Sequence, residues 1–467
     1  MRKRLPFIIL YAAVAIILGA ASAWPVTDVA GLAHALANAL FLFAGLAAFL
    51  VLLPQRFSLP VQIFIAMVAG IAVGWVLTPW DPPLVTDYLG VFGQLFVLLL
   101  KLVITPLIFV SIVCGVAGIG DVRKLGSLGA KTIGFYLMTT AAAVLIGLTC
   151  VNVVQPGAGR AHLRDQVQED RQTQERTNLG VMLRDEALPR LIQNPIMAGQ
   201  DVIAVIFFAL LFGAALASIG PPAEAAIATF RGLDRALITI ILWIMALAPI
   251  GVFALMAGAI SELGLQYVYT LAKYCFTVFL GLGLHFCLLC LVIVPVLGRV
   301  SPMRFLRGML PAFEVAFSTS SSSATIPVTM ECASKRVGAD EDICSFMLPI
   351  GATINMDGTA LYVSVASLFV AQVYGVDLSI QQQLMVFLTA VMVSIGTAGI
   401  PGASIGLMAI ILSSVGLPPE GVGIVIGVDR ILDMTRTVVN ITGDSVGTVV
   451  ISRSEGRMTD PASSAAS

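Results

Sequence analysis

Long apolar runs separated by short charged turns dominate the chain, and their lengths suit membrane-crossing helices better than the core helices of a soluble protein. The first run, LPFIILYAAVAIILGAASAWP after MRKR, has the basic start and small-residue end of a signal peptide. A second run over Ala35–Leu53, closed by Arg56, makes an extra transmembrane hairpin with both ends cytoplasmic the better reading of residues 1–57. Further spans are predicted at Ser58–Thr78, Tyr88–Ile119 and Thr132–Val154, with Arg123, Lys124 and Lys131 marking a cytoplasmic turn. From Gln155 to Pro195 dense charges of both signs replace the apolar pattern, which predicts an exposed, partly disordered external loop over residues 155–198. Apolar segments resume at Asp201–Ile219, Ala225–Met256 and Tyr269–Leu297, their cytoplasmic ends set by Arg231, Arg235, Arg299, Arg304 and Arg307.

Beyond residue 300 the pattern changes. The segment 302–333 is broken in its middle by STSSSSAT, and 382–416 repeats the design with SIGTAGIPGAS. No Lys or Arg occurs between Arg336 and Asp429, so both segments belong to the membrane despite polar centres. Backbone that is not helical at membrane depth is tolerated only where protein buries it or it lines a watery cavity. Two interrupted pairs of half-helices, each followed by a spanning helix, predict an inverted repeat with a binding site at its interface.

The last span carries the densest chemistry. In DRILDMTRTVVNITGD, Asp429, Asp433, Arg436, Asn440 and Asp444 recur at offsets of 0, 4, 7, 11 and 15. At about 100° per residue they share a sector of roughly 80° on one helix face. Charged groups at membrane depth normally face a cavity and mark a substrate or ion path. The plainer reading is an Asp–Arg pair that pins helices together, but three carboxylates against one Arg leave a negative surplus that calls for a cation. Upstream, Ser320–Ser323 offer hydroxyls and free N–H groups at a half-helix end, either a cradle for a carboxylate or a flexible polar turn. GATINMDGTALY carries polar Asn355, Asp357 and Thr359 alongside Gly351 and Gly358, which permit unwinding. Unwound carbonyls with one carboxylate would form an oxygen cage for a hard monovalent cation; an Asp capping a kink is the alternative.

Composition narrows the class. Hydrophobic residues make up 58% and charged ones 11%, which excludes an ordinary soluble domain, and a net charge of −1 gives nucleic acid nothing to bind. The seven cysteines lie mostly in apolar segments, as small buried hydrophobes rather than a disulfide framework. Cys287 and Cys290 would need two more ligands to hold zinc, with His285 the only nearby candidate, so no metal centre or cofactor is expected. GASIG at 402–406 matches a hydrolase nucleophile pattern around Ser404, but no strand precedes it and His34, His162 and His285 are remote in sequence; no enzyme is expected.

The strings TSSSSATIPVTM (319–330), GATINMDGTALY (351–362), SIGTAGIPGAS (394–404) and DRILDMTRTVVNITGD (429–444), in this order, resemble the signature segments of the dicarboxylate/amino acid:cation symporters, the glutamate transporter family. The resemblance runs from about Ser58 to Arg453 and leaves the first 55 residues outside it. It implies an all-α integral membrane protein of eight transmembrane helices and two re-entrant helical hairpins with inverted repeats, here with two additional N-terminal helices. It also implies homotrimers in the cell inner membrane, with an elevator-like transport domain. The expected division is scaffold helices at 58–120 and 199–260, and a transport domain from 121–154 and 261–453. A disordered cytoplasmic tail is expected at 454–467.

By similarity, Arg436 grips the side-chain carboxylate of an acidic amino acid, Asp433 its ammonium, and Asn440 and Ser322 its α-carboxylate. Ser321, Thr437 and Thr359 support them, and Ile400, Pro401 and Gly402 form the closing tip. One implied sodium site takes Gly351, Asn355, Asn440 and Asp444. A second takes Thr353, Met356, Ser394, Ile395 and Thr397, and a third Tyr136, Thr139, Thr140, Asn355 and Asp357.

Members selective for neutral amino acids lack an arginine where Arg436 stands, and dicarboxylate carriers lack a carboxylate at Asp433, so having both points to an acidic amino acid. A second arginine that relatives place at the positions of Ser320 or Met434 is missing, and Arg430 is the nearest candidate substitute. Val363 stands where proton- and potassium-coupled members have a glutamate, which favours sodium. The expectation is sodium-coupled symport of L-aspartate, with L-glutamate a further candidate. The alternative is a proton-coupled glutamate or C4-dicarboxylate symporter. A non-transporting amino-acid sensor is disfavoured by the short stretch after Arg453.

Overall fold

Lipid offers no hydrogen bonds, so an apolar run has to satisfy its backbone internally, and a helix is the open-ended way to do so. The computed structural model describes residues 57–79, 85, 89–122, 127–158, 202–394, 399 and 403–459, and every regular element among them is helical. The expected N-terminal hairpin, nearly all of the external loop and the end of the tail lie outside the described residues. Among the described residues three helical stretches are long and apolar enough to cross a membrane, Leu128–Val154, Gln266–Gly298 and Glu341–Val373. The chain divides into two compact units.

The first unit takes its described residues from 1–103, 238–272 and 423–430. It holds α1 (Leu59–Leu77), the start of α2 (Gly90–Val122), the end of α5 (Glu224–Met245), α6 (Ala248–Leu263) and the starts of α7 (Gln266–Cys287) and α14 (Gly423–Ser454). Its core gathers Ala66, Phe92, Leu247, Ile250, Phe253 and Ala257. Gly70 and Gly74, one turn apart, let α1 lie directly on the α6 backbone, the close approach that small residues permit between helices without a hydrophobic drive. A Cβ on Gly74 would sit 2.5 Å from the Ala257 carbonyl oxygen and 3.0 Å from its Cα. The single apolar segment expected over Ala225–Met256 is instead two helices, bent by 55° at the α5–α6 junction. Pro249 falls in the first turn of α6 and has no N–H for the preceding ladder, which explains the break.

The second unit contains the later part of α2, α3 (Ser127–Val154), α4 (Val202–Ile219), most of α7 and its π-helical continuation Leu288–Gly298. It also holds α8 (Pro302–Thr319), α9 (Ser322–Glu331), α10 (Glu341–Ile354), α11 (Asp357–Val373), α12 (Ile380–Ser394), α13 (Ala403–Ser414) and α14 from Ile431. Phe305, Met309, Ile343, Met347, Ile441 and Val449 build its core. The α10–α11 stretch is wholly buried over its apolar window, against 33% for the α7 stretch and 44% for α3. It is therefore the axis of this unit, and polar groups along it are sealed by protein. At ten residues α9 is only about 15 Å long, half a hydrocarbon core of roughly 30 Å. It packs back on α8 across Ser320, which takes a left-handed φ of 50°.

Gly74→Leu should lower the thermal stability of the detergent-solubilised protein by about 1–3 kcal/mol through overpacking against Ala257. Gly258→Ala, which meets nothing within 4 Å, should leave it unchanged. Equal melting of the two variants would show that the α1–α6 approach is not tight.

Candidate functional site

All residues that form the site belong to the second unit. On α14, Asp433, Arg436, Asn440 and Asp444 are each at most 4% exposed. Nε and Nη2 of Arg436 both donate to Oδ1 of Asp433, at 3.0 and 2.9 Å, an i,i+3 pair on one helix face. The guanidinium carbon lies 4.3 Å from the centroid of the Tyr362 ring, which covers it as a cation–π lid. Gly358 brings the first turn of α11 flush against this point, since a Cβ there would lie 2.5 Å from the Arg436 carbonyl oxygen. Thr437 donates to the Asp433 carbonyl at 2.8 Å. Asp429 and Arg430 are buried one turn earlier, in the part of α14 that belongs to the first unit.

Between α10 and α11 the helix unwinds for two residues, Asn355 and Met356, whose φ,ψ of −102°,74° and −104°,54° are not helical. Around this break the side chains interlock. Asn440 Oδ1 accepts from the Gly358 N–H (2.8 Å) and the Thr359 N–H (3.3 Å), while its Nδ2 donates to Thr359 Oγ1 (3.2 Å). Asn355 donates to Asp444 Oδ1 at 3.0 Å and accepts from Thr139 at 3.1 Å. Thr140 donates to Asp357 Oδ1 at 2.7 Å, and the Tyr136 hydroxyl donates to the Met347 carbonyl at 3.0 Å. Gly351 faces Asp444, where a Cβ would come within 2.7 Å of the carboxylate carbon and 2.8 Å of the Tyr136 oxygen. The residues of the first and third sets expected from the sequence are thus brought together. Among the described residues neither Asp357 nor Asp444 has a Lys or Arg partner, although they are 0% and 2% exposed.

The two interrupted segments touch at their breaks. Ser321 caps α9 by accepting from the Ala324 N–H at 3.2 Å, and its hydroxyl donates to the Gly399 carbonyl at 2.7 Å. The Ser323 N–H reaches the same carbonyl at 3.3 Å. Among the described residues the hydroxyls of Ser320 and Ser322 are buried without a hydrogen-bond partner. Of the second set, Thr353 and Ser394 donate to backbone carbonyls of their own helices, those of Ile350 and Val391, and Met356 lies in the unwound pair. Ile395 and Thr397 fall outside the described residues, as do the tip residues Ile400, Pro401 and Gly402. The seven cysteines are free thiols, and Ser404 lies in the first turn of α13 rather than on a strand-to-helix elbow.

One contact was missed from the sequence. His285, in α7, lies 3.0 Å from Asp357 Oδ2, and both side chains are fully buried. The signal was present: a lone ionisable residue in an apolar span requires a partner. Its distance along the chain from every motif hid which one.

The sodium:dicarboxylate symporter family model matches residues 59–454. The chain is 36% identical over 414 residues to the proton/sodium-glutamate symport protein of Bacillus subtilis, covering 87% of this chain and 95% of that one. It is 36% identical over 416 residues to the proton/glutamate-aspartate symporter of Escherichia coli, covering 86% and 93%. It is 33% identical over 401 residues to the C4-dicarboxylate transport protein of Bacillus subtilis, covering 85% and 94%.

Ser321→Ala removes a helix cap and the link to Gly399 together, and should destabilise the contact between the two breaks by about 1–3 kcal/mol. Amide exchange at Ser323 and around Gly399 should accelerate while α11 stays protected; unchanged exchange at Ser323 would refute the link.

Proposed function

Because the chain belongs to the sodium:dicarboxylate symporter family, we propose that it is a secondary transporter that carries acidic amino acids inward, L-aspartate foremost and L-glutamate second, in symport with sodium. The observation that carries this reading is the conjunction of a buried Asp433–Arg436 pair with two buried carboxylates, Asp357 and Asp444, that have no Lys or Arg partner among the described residues. An acidic amino acid presents an ammonium to Asp433 and a carboxylate to Arg436, whose planar fork suits it. Asn440 and the hydroxyl of Ser322, which has no hydrogen-bond partner among the described residues, hold the α-carboxylate, Thr437 and Thr359 support them, Ser321 positions the turn, and Ile400, Pro401 and Gly402 close over the ligand.

Three sodium sites complete the assignment: Gly351, Asn355, Asn440 and Asp444; Thr353, Met356, Ser394, Ile395 and Thr397; and Tyr136, Thr139, Thr140, Asn355 and Asp357. Hydroxyls, amide oxygens and carboxylates are the ligands a hard monovalent cation takes. The charges agree with this number. Asp433 and Arg436 cancel, the substrate adds one negative charge, and Asp357 and Asp444 add two, so three sodium ions make the loaded site neutral.

In this reading 302–333 and 382–416 are re-entrant hairpins that meet near the bilayer midplane, eight helices span the inner membrane, and three copies assemble. The segments 121–154 and 261–453 travel as an elevator against the scaffold. Proton coupling is the second reading, favoured by the name of the Escherichia coli relative. A C4-dicarboxylate substrate fits less well, for it brings no ammonium to Asp433.

Reconstituted in liposomes, the protein should accumulate labelled aspartate under an inward sodium gradient and not under a proton gradient alone; the reverse result replaces sodium with protons. Arg436→Cys should weaken aspartate by about 2–5 kcal/mol, since a carboxylate is left unpaired, while neutral amino acids begin to compete. Undiminished aspartate competition in that variant would overturn the role of Arg436.

A further inference from the structure

His285 belongs to none of the assigned binding sets, yet it is fully buried against one of their carboxylates. Oδ1 of Asp357 accepts from Thr140 at 2.7 Å, and the Thr139 hydroxyl lies 3.4 Å from it. Oδ2 faces the other way, 3.0 Å from His285 Nε2. A carboxylate only accepts, so Nε2 carries the proton. Among the described residues the second ring nitrogen, Nδ1, is buried with no hydrogen-bond partner, so the contact with Asp357 is the one polar bond the ring makes there.

The terminal torsion of an aspartate is broad and nearly two-fold, so nothing intrinsic to Asp357 decides which oxygen meets Thr139 and Thr140. The contact from α7 decides it. The π-helical continuation begins at Leu288, three residues after His285, and such wider turns change a helix's register where a side chain has to be aimed.

We propose that His285 is a positioning residue for the cation pocket around Asp357: its Nε2–H fixes Oδ2, and thereby presents Oδ1 with Thr139, Thr140 and Asn355 to the ion. The ring orients the carboxylate and is not itself an ion ligand. This rests on the reading of that pocket as a sodium site.

The test measures thermal unfolding of the detergent-solubilised full chain without substrate, with sodium varied against choline at constant ionic strength. Sodium that binds the folded form raises its melting temperature with the logarithm of one plus the ratio of its concentration to its dissociation constant. His285→Leu keeps much of the volume and removes the donor, and should raise the sodium concentration needed for a given rise in melting temperature roughly tenfold or more, the usual effect of losing a partner that orients a metal ligand. His285→Met, also without a donor, carries the same expectation should the Leu variant not fold. His285→Gln, which restores an N–H donor, should shift it by less than about threefold.

A donor-less variant with the parent's sodium response overturns the proposal, and so does a Gln variant as impaired as Leu or Met, which would mark a packing role. A parent protein whose melting ignores sodium overturns the pocket reading and this inference with it. A sodium-responsive parent with an unaffected donor-less variant overturns this inference alone.

Discussion

Two carboxylates sealed inside an apolar helical unit set the terms for the rest of the structure. An ionised carboxylate moved out of water loses several kcal/mol of solvation even after relaxation, and only charge or hydrogen bonds can restore it. Asp357 and Asp444 receive hydrogen bonds from Thr140, His285 and Asn355, and no Lys or Arg among the described residues. Such hydrogen bonds soften the cost of burial without supplying the fixed positive charge of a Lys or Arg. The unit is thereby left with an appetite for cations that its own sequence does not satisfy. On the proposed reading the transported ions meet it, so ion binding and the stability of the closed unit are one free energy seen from two sides.

That requirement explains the irregular backbone. A continuous helix hides its carbonyls in its own ladder, and only a break can turn them toward an ion. The break at Asn355–Met356 lies in the most buried of the three membrane-length helical stretches among the described residues, where protein rather than lipid surrounds the freed groups. Gly351 and Gly358 flank it because α14 lies too close for a side chain on either. The serine turn between α8 and α9 follows the same logic at the other side of the site. Its left-handed Ser320 and its cap at Ser321 end one helix and begin the next, and Ser321 also holds the carbonyl of Gly399.

The features legible in the sequence were those written in local pattern. The polar face of α14 follows from spacing alone, and the breaks at Ser320 and near Gly399 follow from polar residues in apolar runs. The membrane class follows from composition and run length. Other features depend on contacts that no local pattern encodes. Ala225–Met256 reads as one apolar run, and only the backbone shows that Pro249 divides it. His285 reads as a solitary histidine because its partner lies 72 positions away. The pairing of Arg436 with Asp433 was visible as spacing, but sequence alone left open whether the two hold each other or wait for separate ligands.

The structure resolves that ambiguity in a way that bears on selectivity. The two groups are joined at 2.9–3.0 Å under the Tyr362 ring, so on the proposed reading an incoming ligand would have to part them. A neutral amino acid offers an ammonium to Asp433 and nothing for Arg436, so it leaves the guanidinium buried beside a spent partner. A dicarboxylate offers Arg436 a carboxylate and brings a second negative charge toward Asp433. Only a molecule with both an ammonium and a side-chain carboxylate replaces each half of the internal pair with an equivalent. The cost of breaking the pair is common to all ligands, whereas its recovery belongs to one class. The pair therefore acts against the wrong ligands as much as for the right one, which is how a difference in affinity becomes specificity.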